Sequence, residues 1–378
     1  MSKQRLDYLI AGPAGPYRGG IADTQNELGK HLVKAGKKTQ LITFSKLYPN
    51  FLFPGKNQKR KEELNTTLNT LEIIHSYNPF RWEKVIRYIN KTNPKTIIFR
   101  YYTPFLAPLY GWIAKRTNNG IKKIALVDNW IPHERRFMDK IFNRLFGIQI
   151  EAFTTFSSEV AYQIKNEFKK PIWEGFHPIN TNLLPQISST EARKKLGWES
   201  EKSIVLFFGI IRKYKGLELL IQAFAIKKFN SENIILKVVG ECYEDKKKYT
   251  DLVTRLGLEK IVKFDFEFKT ERDIQLVFSG CDLVAQTYHT ASQSGVTPIA
   301  YFYNKPLVVS DIEGLNTPIK EDNSGICVKK NPHDIAKGIK YLLGDQIVSN
   351  KIKNIKKALP RYSWKKWIKD WDEFIQNV

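Results

Sequence analysis

The chain has 378 residues, 42% of them hydrophobic, and this length and composition exclude a disordered protein and favour two globular domains. Lysine and arginine number 61 against 38 aspartate and glutamate residues, and the formal net charge of +23 favours partners that carry negative charge. The three cysteines, Cys242, Cys281 and Cys327, are too widely spaced to suggest a disulfide framework or a zinc site. No apolar run near the N-terminus is long enough for a signal peptide, so we expect a cytoplasmic protein.

Short apolar runs alternate along the chain with longer segments of helical period, which is typical of parallel sheets with crossover helices. The first half contains five predicted strands: DYLIA, TQLITF, TIIFRYY, KKIALVD and AFTTFS. The second half contains six: SIVLFFG, IILKVVG, IVKFDF, DLVAQTY, PLVVSD and GICVKK. The sequence therefore predicts an α/β protein with two doubly wound, Rossmann-like domains.

A stretch rich in proline, asparagine and serine separates the two series of strands and indicates a linker. We expect a first domain over residues 1–180, the linker over 181–200 and a second domain over 201–361. The terminal segment 362–378 carries aromatic residues at spacings of three and four: Trp364, Trp367, Trp371 and Phe374. This spacing predicts an amphipathic helix, and we expect it to return to the first domain and bury its stripe there.

A glycine-rich loop joins the first predicted strand to the first predicted helix. Its spacing matches neither the dinucleotide-binding fingerprint nor the phosphate-binding P-loop. Gly19 and Gly20 at the start of the helix would nevertheless let backbone N–H groups approach an anion closely. The alternative interpretation is a tight turn that binds nothing.

A basic loop follows the first strand of the second half. The strand ends at Gly209, and Arg212, Lys213 and Lys215 precede the next helix. Ligands of open α/β sheets bind outside the carboxyl ends of the strands, where this loop lies, and a planar arginine with a lysine suits a diphosphate. The alternative is a solvated basic loop.

Polar residues also end two strands of the first half. Arg100 and Tyr101 close TIIFRYY, and Asp128, Asn129 and His133 follow KKIALV. Because ligand sites gather at strand ends, we expect these side chains to lie at a functional site. A structural histidine is the alternative for His133.

Taken together, the motifs resemble a known family. The stretches are the paired glycines after the first strand, GIIRKYKGLELLIQAF, VVGECYED, SQSGVTPIAYFYNKPLVVSDIEGL and GICV. They are similar to the retaining glycosyltransferases of family 4, which have the GT-B fold, with two Rossmann-like domains facing across a cleft that holds the catalytic site. The resemblance covers nearly the whole chain and is strongest from Ser203 to Val328.

The resemblance implies roles for individual residues. Arg212 and Lys215 would bind the diphosphate of a nucleotide-sugar donor and stabilise it as it leaves. Asp128 and His133 would be the catalytic candidates of the first domain, and Asn129, Arg100 and Tyr101 would face the acceptor or the donor sugar. Other positions would bind the donor: Gly19, Gly20, Gly209, Ser292, Gln293, Ser294, Gly295 and Glu313. His289, just before the turn from Ser292 to Gly295, is a further candidate. The resemblance implies no metal, and no cofactor beyond the donor as co-substrate. Asp370 and Asp372 match the D-x-D motif of metal-dependent enzymes, but they lie on the predicted terminal helix, which indicates surface charge.

The chain departs from the family at two positions. Members usually carry two glutamates eight residues apart. Those positions fall near Ala291 and Ile299 here, or at Ser292 and Ala300 when the alignment is shifted by one residue, and none of these residues is acidic. The closest likeness is a bacterial subset that lacks the paired glutamates. Gln293 would replace part of the hydrogen bonding to the sugar.

The segment 135–148 combines apolar and basic residues at helical spacing. One face carries Phe137, Met138, Ile141, Phe142, Leu145 and Phe146, and the rim carries Arg135, Arg136, Lys140 and Arg144. Such a helix can lie on an anionic membrane, here the inner face of the plasma membrane. The alternative is a core helix with a solvated face.

The leading hypothesis is an enzyme that transfers a sugar from a nucleotide diphosphate to a glycan or lipid-linked acceptor, with retention of configuration, in surface polysaccharide synthesis. One alternative is a catalytically degenerate, nucleotide-binding partner subunit, suggested by the missing glutamates. The other is a basic nucleic-acid-binding protein. No nucleic-acid partner is expected, because the chain lacks the motifs of such proteins.

Overall fold

The computed structural model describes residues 5–17, 19–49, 59, 68–131, 137–226 and 233–378. The chain divides into two compact units. The first comprises Met1–Pro178 together with Ser363–Val378, and the second comprises Ile179–Tyr362. Each unit is built on its own parallel sheet.

The described part of the first unit contains a seven-stranded sheet. Its strands are β1 Tyr8–Ala11, β2 Thr39–Lys46, β3 Thr70–His75, β4 Thr96–Tyr101, β5 Lys122–Val127, β6 Ala152–Thr155 and β7 Ile172–Glu174. The order across the sheet is β3-β2-β1-β4-β5-β6-β7. The five predicted strands are confirmed, and β3 and β7 are additions at the two edges.

Helices alternate with these strands, as crossover connections between parallel strands require. They are α1 Gly20–Lys34, α2 Trp82–Thr92, α3 Ala107–Arg116, α4 Asp139–Gly147 and α5 Ser158–Lys165. The last helix of the chain, which we number α14 in chain order, spans Trp364–Asn377 and belongs to this unit.

The aromatic stripe of α14 is buried in the first unit. Trp367 and Trp371 are fully buried, and the Trp367 indole N–H donates to the Phe176 carbonyl at 3.0 Å. Asp372 accepts a hydrogen bond from the Tyr8 hydroxyl and pairs with Lys37 at 2.7 Å. Asp372 therefore fixes the helix to the sheet. The stripe needs this burial because an exposed row of indoles would lose most of its hydrophobic stabilisation.

The described part of the second unit contains a six-stranded parallel sheet in the order β10-β9-β8-β11-β12-β13. The strands are β8 Ser203–Phe208, β9 Ile234–Val239, β10 Val262–Asp265, β11 Leu283–Gln286, β12 Leu307–Ser310 and β13 Gly325–Val328. All six match the predicted strands. The helices are α6 Ser189–Leu196, α7 Leu217–Phe224, α8 Lys246–Arg255, α9 Glu271–Gly280, α10 Val296–Phe302, α11 Glu313–Asp322, α12 Pro332–Leu342 and α13 Asp345–Ala358.

Part of the segment predicted as a linker is helical. The Ser188 hydroxyl accepts a hydrogen bond from the Glu191 N–H and caps α6, as serine does at many helix starts. Arg193 on this helix donates to the Gly280 carbonyl at 2.9 Å and to Asp282 at 2.8 Å. These bonds attach α6 to the second unit, and Pro/Asn/Ser composition does not reveal them.

Each sheet has one point where the strand order reverses. In the first unit the point lies between β1 and β4, and in the second between β8 and β11. Loops that leave the carboxyl ends of these strands diverge, which opens a crevice where ligands of doubly wound sheets bind. The predicted glycine loop follows β1, and the predicted basic loop follows β8.

Candidate functional site

Three predicted segments meet at the reversal point of the second sheet. Gly209, which follows β8, has a φ of +101°, and its N–H donates to the Val239 carbonyl at 3.0 Å. A Cβ added at Gly209 would lie 3.0 Å from the Lys215 Nζ and 3.7 Å from Val296 on the first turn of α10. The structure therefore brings the end of β8, the basic loop and the start of α10 together.

Lys215 is buried in this arrangement. It lies in a 3-10 turn over Lys213–Lys215, is 7% exposed, and its Nζ is 5.4 Å from the centre of the Tyr288 ring. Burial, with a smaller contribution from the positive charge of Arg212, lowers the pKa of Lys215 to about 7. The charged form of Lys215 is therefore disfavoured in the free protein, and an incoming anion would favour it again.

Arg212 lies beside Lys215 but is exposed to solvent. Its guanidinium carbon is 5.2 Å from the centre of the Tyr243 ring, so the aromatic face supports the side chain. The sequence analysis missed both Tyr243 and Tyr288. The only sequence signal for them is their position just after β9 and β11, at the same edge of the sheet.

The loops after β8 and β11 are hydrogen bonded to each other. The Thr287 hydroxyl donates to the Gly216 carbonyl at 3.0 Å, and the His289 N–H donates to the Tyr214 carbonyl at 2.7 Å. Gly216 has a φ of +59°, and a Cβ there would lie 2.1 Å from the Thr287 carbonyl oxygen. Glycine is therefore required at this position for both conformation and space.

We expect Gly216→Ala to displace the loop that carries Lys215, because the added Cβ clashes with the Thr287 carbonyl oxygen. Ligand binding should weaken about tenfold or more, since small displacements of binding groups have large effects. Gly257→Ala is the matched control, because Gly257 has a φ of +66° and nothing within 4 Å of the added Cβ. Both variants should lose about 1–2 kcal/mol from the left-handed conformation. Equal binding by the two variants in calorimetric titrations would contradict the prediction.

His289 is paired with an acidic residue that the sequence analysis did not single out. Its Nε2 lies 2.5 Å from the Glu218 Oε1 in the first turn of α7. The second carboxylate oxygen of Glu218 is buried and has no hydrogen-bond partner among the described residues. The pair therefore places an acceptor oxygen beside the Lys215 loop.

The predicted turn of Ser292 to Gly295 packs against the start of α11. The Ser294 hydroxyl accepts a hydrogen bond from the Val296 N–H at 3.2 Å. A Cβ at Gly314 would lie 2.1 Å from the Ala291 carbonyl oxygen, so the turn rests on the residue that follows Glu313. The side-chain oxygen of Gln293 is buried without a partner in the described part of the chain. Ser292, Gln293 and Glu313 thus belong to one edge of the second sheet.

Gly19 and Gly20 lie at the start of α1, next to the reversal point of the first sheet. Gly19 has a φ of +111°, and a Cβ at either glycine would meet nothing within 4 Å. Among the described residues, no side chain caps this end of α1. The first N–H groups of a helix have no partner within the helix and attract anions, so this end suits an anionic group.

Arg100 and Asp128 form a buried ion pair at the same edge of the first sheet. The guanidinium donates from Nε to Oδ2 at 2.5 Å and from Nη2 to Oδ1 at 2.7 Å. The side chains are 1% and 5% exposed, and the guanidinium carbon is 4.8 Å from the centre of the Phe156 ring. The remaining nitrogen of Arg100 is buried without a partner among the described residues. The pair therefore holds the ends of β4 and β5 together.

The other candidates of the first unit differ in position. Tyr101 is fully buried and its hydroxyl donates to the Asn143 side-chain oxygen Oδ1 at 2.5 Å, so it is a core residue and does not face an acceptor. Asn129 is half-buried next to Asp128. His133 lies outside the described residues.

The chain is similar in sequence to known glycosyltransferases. Residues 188–359 match the family model of the glycosyl transferases group 1. An uncharacterized glycosyltransferase of Methanocaldococcus jannaschii is 29% identical over 203 residues, which is 52% of this chain and 50% of that protein. The chain thus matches about half the length of this curated relative.

Solved structures show the same fold over almost the whole chain. Sucrose-phosphate synthase from Thermosynechococcus elongatus has a TM-score of 0.77 at 15% identity and covers 98% of each chain. Anabaena HepE in complex with UDP-glucose has a TM-score of 0.74 at 17% identity, over 98% of this chain and all of that one. The GT-B fold predicted from the resemblance is confirmed.

Proposed function

We propose that the chain is a glycosyltransferase that binds a nucleotide-sugar donor at the carboxyl edge of the second sheet. The observation that supports this most directly is the position of Lys215. Its side chain is buried, and its Nζ lies close to Gly209 and to the start of α10. The residues concerned lie within the match to the group 1 glycosyl transferases. Anabaena HepE, which shares the fold, is described in complex with UDP and with UDP-glucose.

The proposed chemistry uses the two cations on the donor diphosphate. The bond between the anomeric carbon and the diphosphate oxygen breaks, and negative charge develops on the leaving group. Lys215 and Arg212 stabilise that charge, which is the function that preorganised cations serve in a partly dry site. An acceptor hydroxyl forms the new bond to the anomeric carbon and loses its proton. The charge of Lys215 and Arg212 makes a metal ion unnecessary in this proposal.

The finer assignments come from the resemblance and remain part of the proposal. They are retention of anomeric configuration, a glycan or lipid-linked acceptor, and a role in surface polysaccharide synthesis. Gly19 and Gly20 would contribute backbone N–H groups to the phosphates or the sugar. Asp128 would position the acceptor hydroxyl through the lone pairs that its bonds to Arg100 leave free.

We expect donor binding to weaken as the pH rises above about 7, by up to about tenfold per pH unit. The free protein loses the Lys215 proton near this pH, whereas a bound diphosphate favours the charged ammonium, so binding takes up a proton. Titration calorimetry with a nucleotide sugar between about pH 7 and about pH 9 measures this slope. Lys215→Met should bind weakly with little slope, and a steep slope in that variant would contradict the assignment.

A thermal-shift panel of nucleotides and nucleotide sugars tests the proposed function. A ligand at about 100 times its dissociation constant should stabilise the protein by about 2.7 kcal/mol. We expect a selective shift with one nucleoside diphosphate and its sugar conjugate, and loss of that shift in Lys215→Met. A folded protein that responds to none of the panel would contradict the proposal.

One observation favours a second candidate, a nucleotide-binding partner subunit without turnover. Ala291 and Ile299 stand where related enzymes usually carry glutamates. Nucleotide binding without transfer or hydrolysis of any donor would support this candidate over the enzyme.

A further inference from the structure

Helix α4 and the turn before it expose an unusual number of apolar side chains. Phe137 is 93% exposed, Ile141 47%, Leu145 50% and Ile148 53%. Met138, in the same turn as Phe137, is 43% exposed. These residues recur at spacings of three and four, so they form one row along the outer side of the helix. A contiguous apolar row on a surface usually marks a binding site.

The opposite side of α4 already anchors the helix to the first unit. Phe146 is fully buried and stacks on Tyr101 with ring centres 4.6 Å apart. The Asn143 amide donates to the Trp130 carbonyl at 2.6 Å. Lys170 donates to the Gly147 carbonyl at 3.0 Å at the end of the helix. These contacts attach α4 to the core without any contribution from the outer row. An ordinary core helix would expose a polar face, whereas the exposed row on α4 is apolar.

Positive charge surrounds the row. Lys140 and Arg144 are exposed on α4, and Asp139 is the only acidic residue between positions 137 and 150. The neighbouring helix α3 crosses closely, since a Cβ at Gly111 would lie 3.3 Å from the Leu145 carbonyl oxygen.

Helix α3 also exposes an aromatic residue. Trp112, next to Gly111, is 44% exposed, and the Arg116 guanidinium carbon is 5.4 Å from the centre of its ring. Arg116 pairs with Glu83 of α2 at 3.3 Å, so its charge is partly offset. The row on α4, with its apolar residues beside Lys140 and Arg144, matches the composition of helices that lie in the interface of a bilayer.

We propose that this surface, formed by Phe137, Met138, Ile141, Leu145 and Ile148, binds the face of a membrane rich in anionic lipid. Contact with a second copy is disfavoured, because an isologous interface would oppose the same cations on both sides. Insertion across a bilayer is not required, since none of the described helices is long and apolar enough to span one.

Helix α4, which carries the surface, packs against the carboxyl edge of the first sheet. Phe146 stacks on Tyr101 at the end of β4, and Asp128 lies directly after the end of the adjacent strand β5. A membrane at this surface would hold a lipid-linked acceptor near that edge of the first sheet. This last step rests on the proposed function, whereas the membrane contact does not.

Vesicle cosedimentation tests the contact. The chain should sediment with vesicles of phosphatidylglycerol and phosphatidylethanolamine, and far less with phosphatidylcholine alone. Phe137→Ser combined with Leu145→Ser should weaken binding at least about tenfold through lost apolar contact. Phe80→Ser is the matched control, because Phe80 is 94% exposed elsewhere in the same unit and should bind like the original chain.

A second variant tests the charge. Lys140→Glu with Arg144→Glu should weaken binding to anionic vesicles about fivefold or more per cation removed, and added salt should act in the same direction. Absence of binding to anionic vesicles would overturn the proposal, as would equal losses in the Phe137 and Phe80 variants. A dimer that Phe137→Ser dissociates in light scattering would identify the surface as an interface between copies instead.

Discussion

Replacing Lys215 with methionine is expected to lower kcat/KM for the donor by about 100- to 1000-fold, the loss typical for removing one preorganised charge-stabilising group. Methionine is close to lysine in length and suits the apolar surroundings of Tyr288. The variant should therefore keep the shape of the site and lose only its charge. Steady-state release of nucleoside diphosphate measures the effect.

The same variant should be at least as stable as the original chain near neutral pH. Folding lowers the pKa of Lys215 to about 7 from an ordinary value of 10.5. At any pH at which the unfolded chain keeps this proton, the buried lysine therefore lowers the free energy of unfolding. This loss of stability is complete below about pH 7 and becomes smaller as the pH rises towards about 10.

Lys213→Met, on the exposed side of the same turn, is the control for the activity measurement. Equal losses of activity in the two variants would show that Lys215 has no special role.

Arg100→Met is expected to destabilise the first unit by about 3–5 kcal/mol, because it leaves the Asp128 carboxylate buried without its partner. Replacing both members of a buried ion pair by apolar residues usually costs far less. The double variant Arg100→Met with Asp128→Leu should therefore recover most of the lost stability.

Tryptophan fluorescence during urea unfolding can follow this effect selectively. Seven of the eight tryptophans belong to the first unit, and only Trp198 lies in the second. A double variant as unstable as Arg100→Met would contradict the view that the ion pair mainly joins β4 to β5.

The strands that the sequence predicted carry recognisable apolar runs, and they include β10 and β13 at the edges of the second sheet as well as the interior strands of both sheets. β3 and β7, at the edges of the first sheet, were missed because their burial is partial and their apolar pattern is weaker. α6 was missed because its helix signal, a capping serine and a glutamate, is embedded in a stretch whose composition resembles a linker.

The site was predictable where a residue type has a direct chemical role. Arg212, Lys215 and Gly209 could be chosen from their place after a strand. Tyr288 beside Lys215, and Glu218 beside His289, depend on contacts between loops that are distant in sequence, so no local pattern reveals them. The depth of burial that lowers the Lys215 pKa is likewise a property of the folded loops.

In the first unit, the position of a residue at a strand end did not predict which way its side chain points. Tyr101 follows the same strand-end rule as Arg100, yet it points into the core towards Asn143. Alternation of side chains along a strand separates these two neighbours, and a single sequence does not say which of them faces the ligand side.

Release of nucleoside diphosphate from the nucleotide sugar that the thermal-shift panel selects, measured by chromatography, decides whether a donor binds and reacts at the carboxyl edge of the second sheet. We expect turnover by the original chain and by Lys213→Met, and a loss of about 100-fold or more in Lys215→Met. Turnover that is unchanged in Lys215→Met would contradict a donor site at the carboxyl edge of the second sheet.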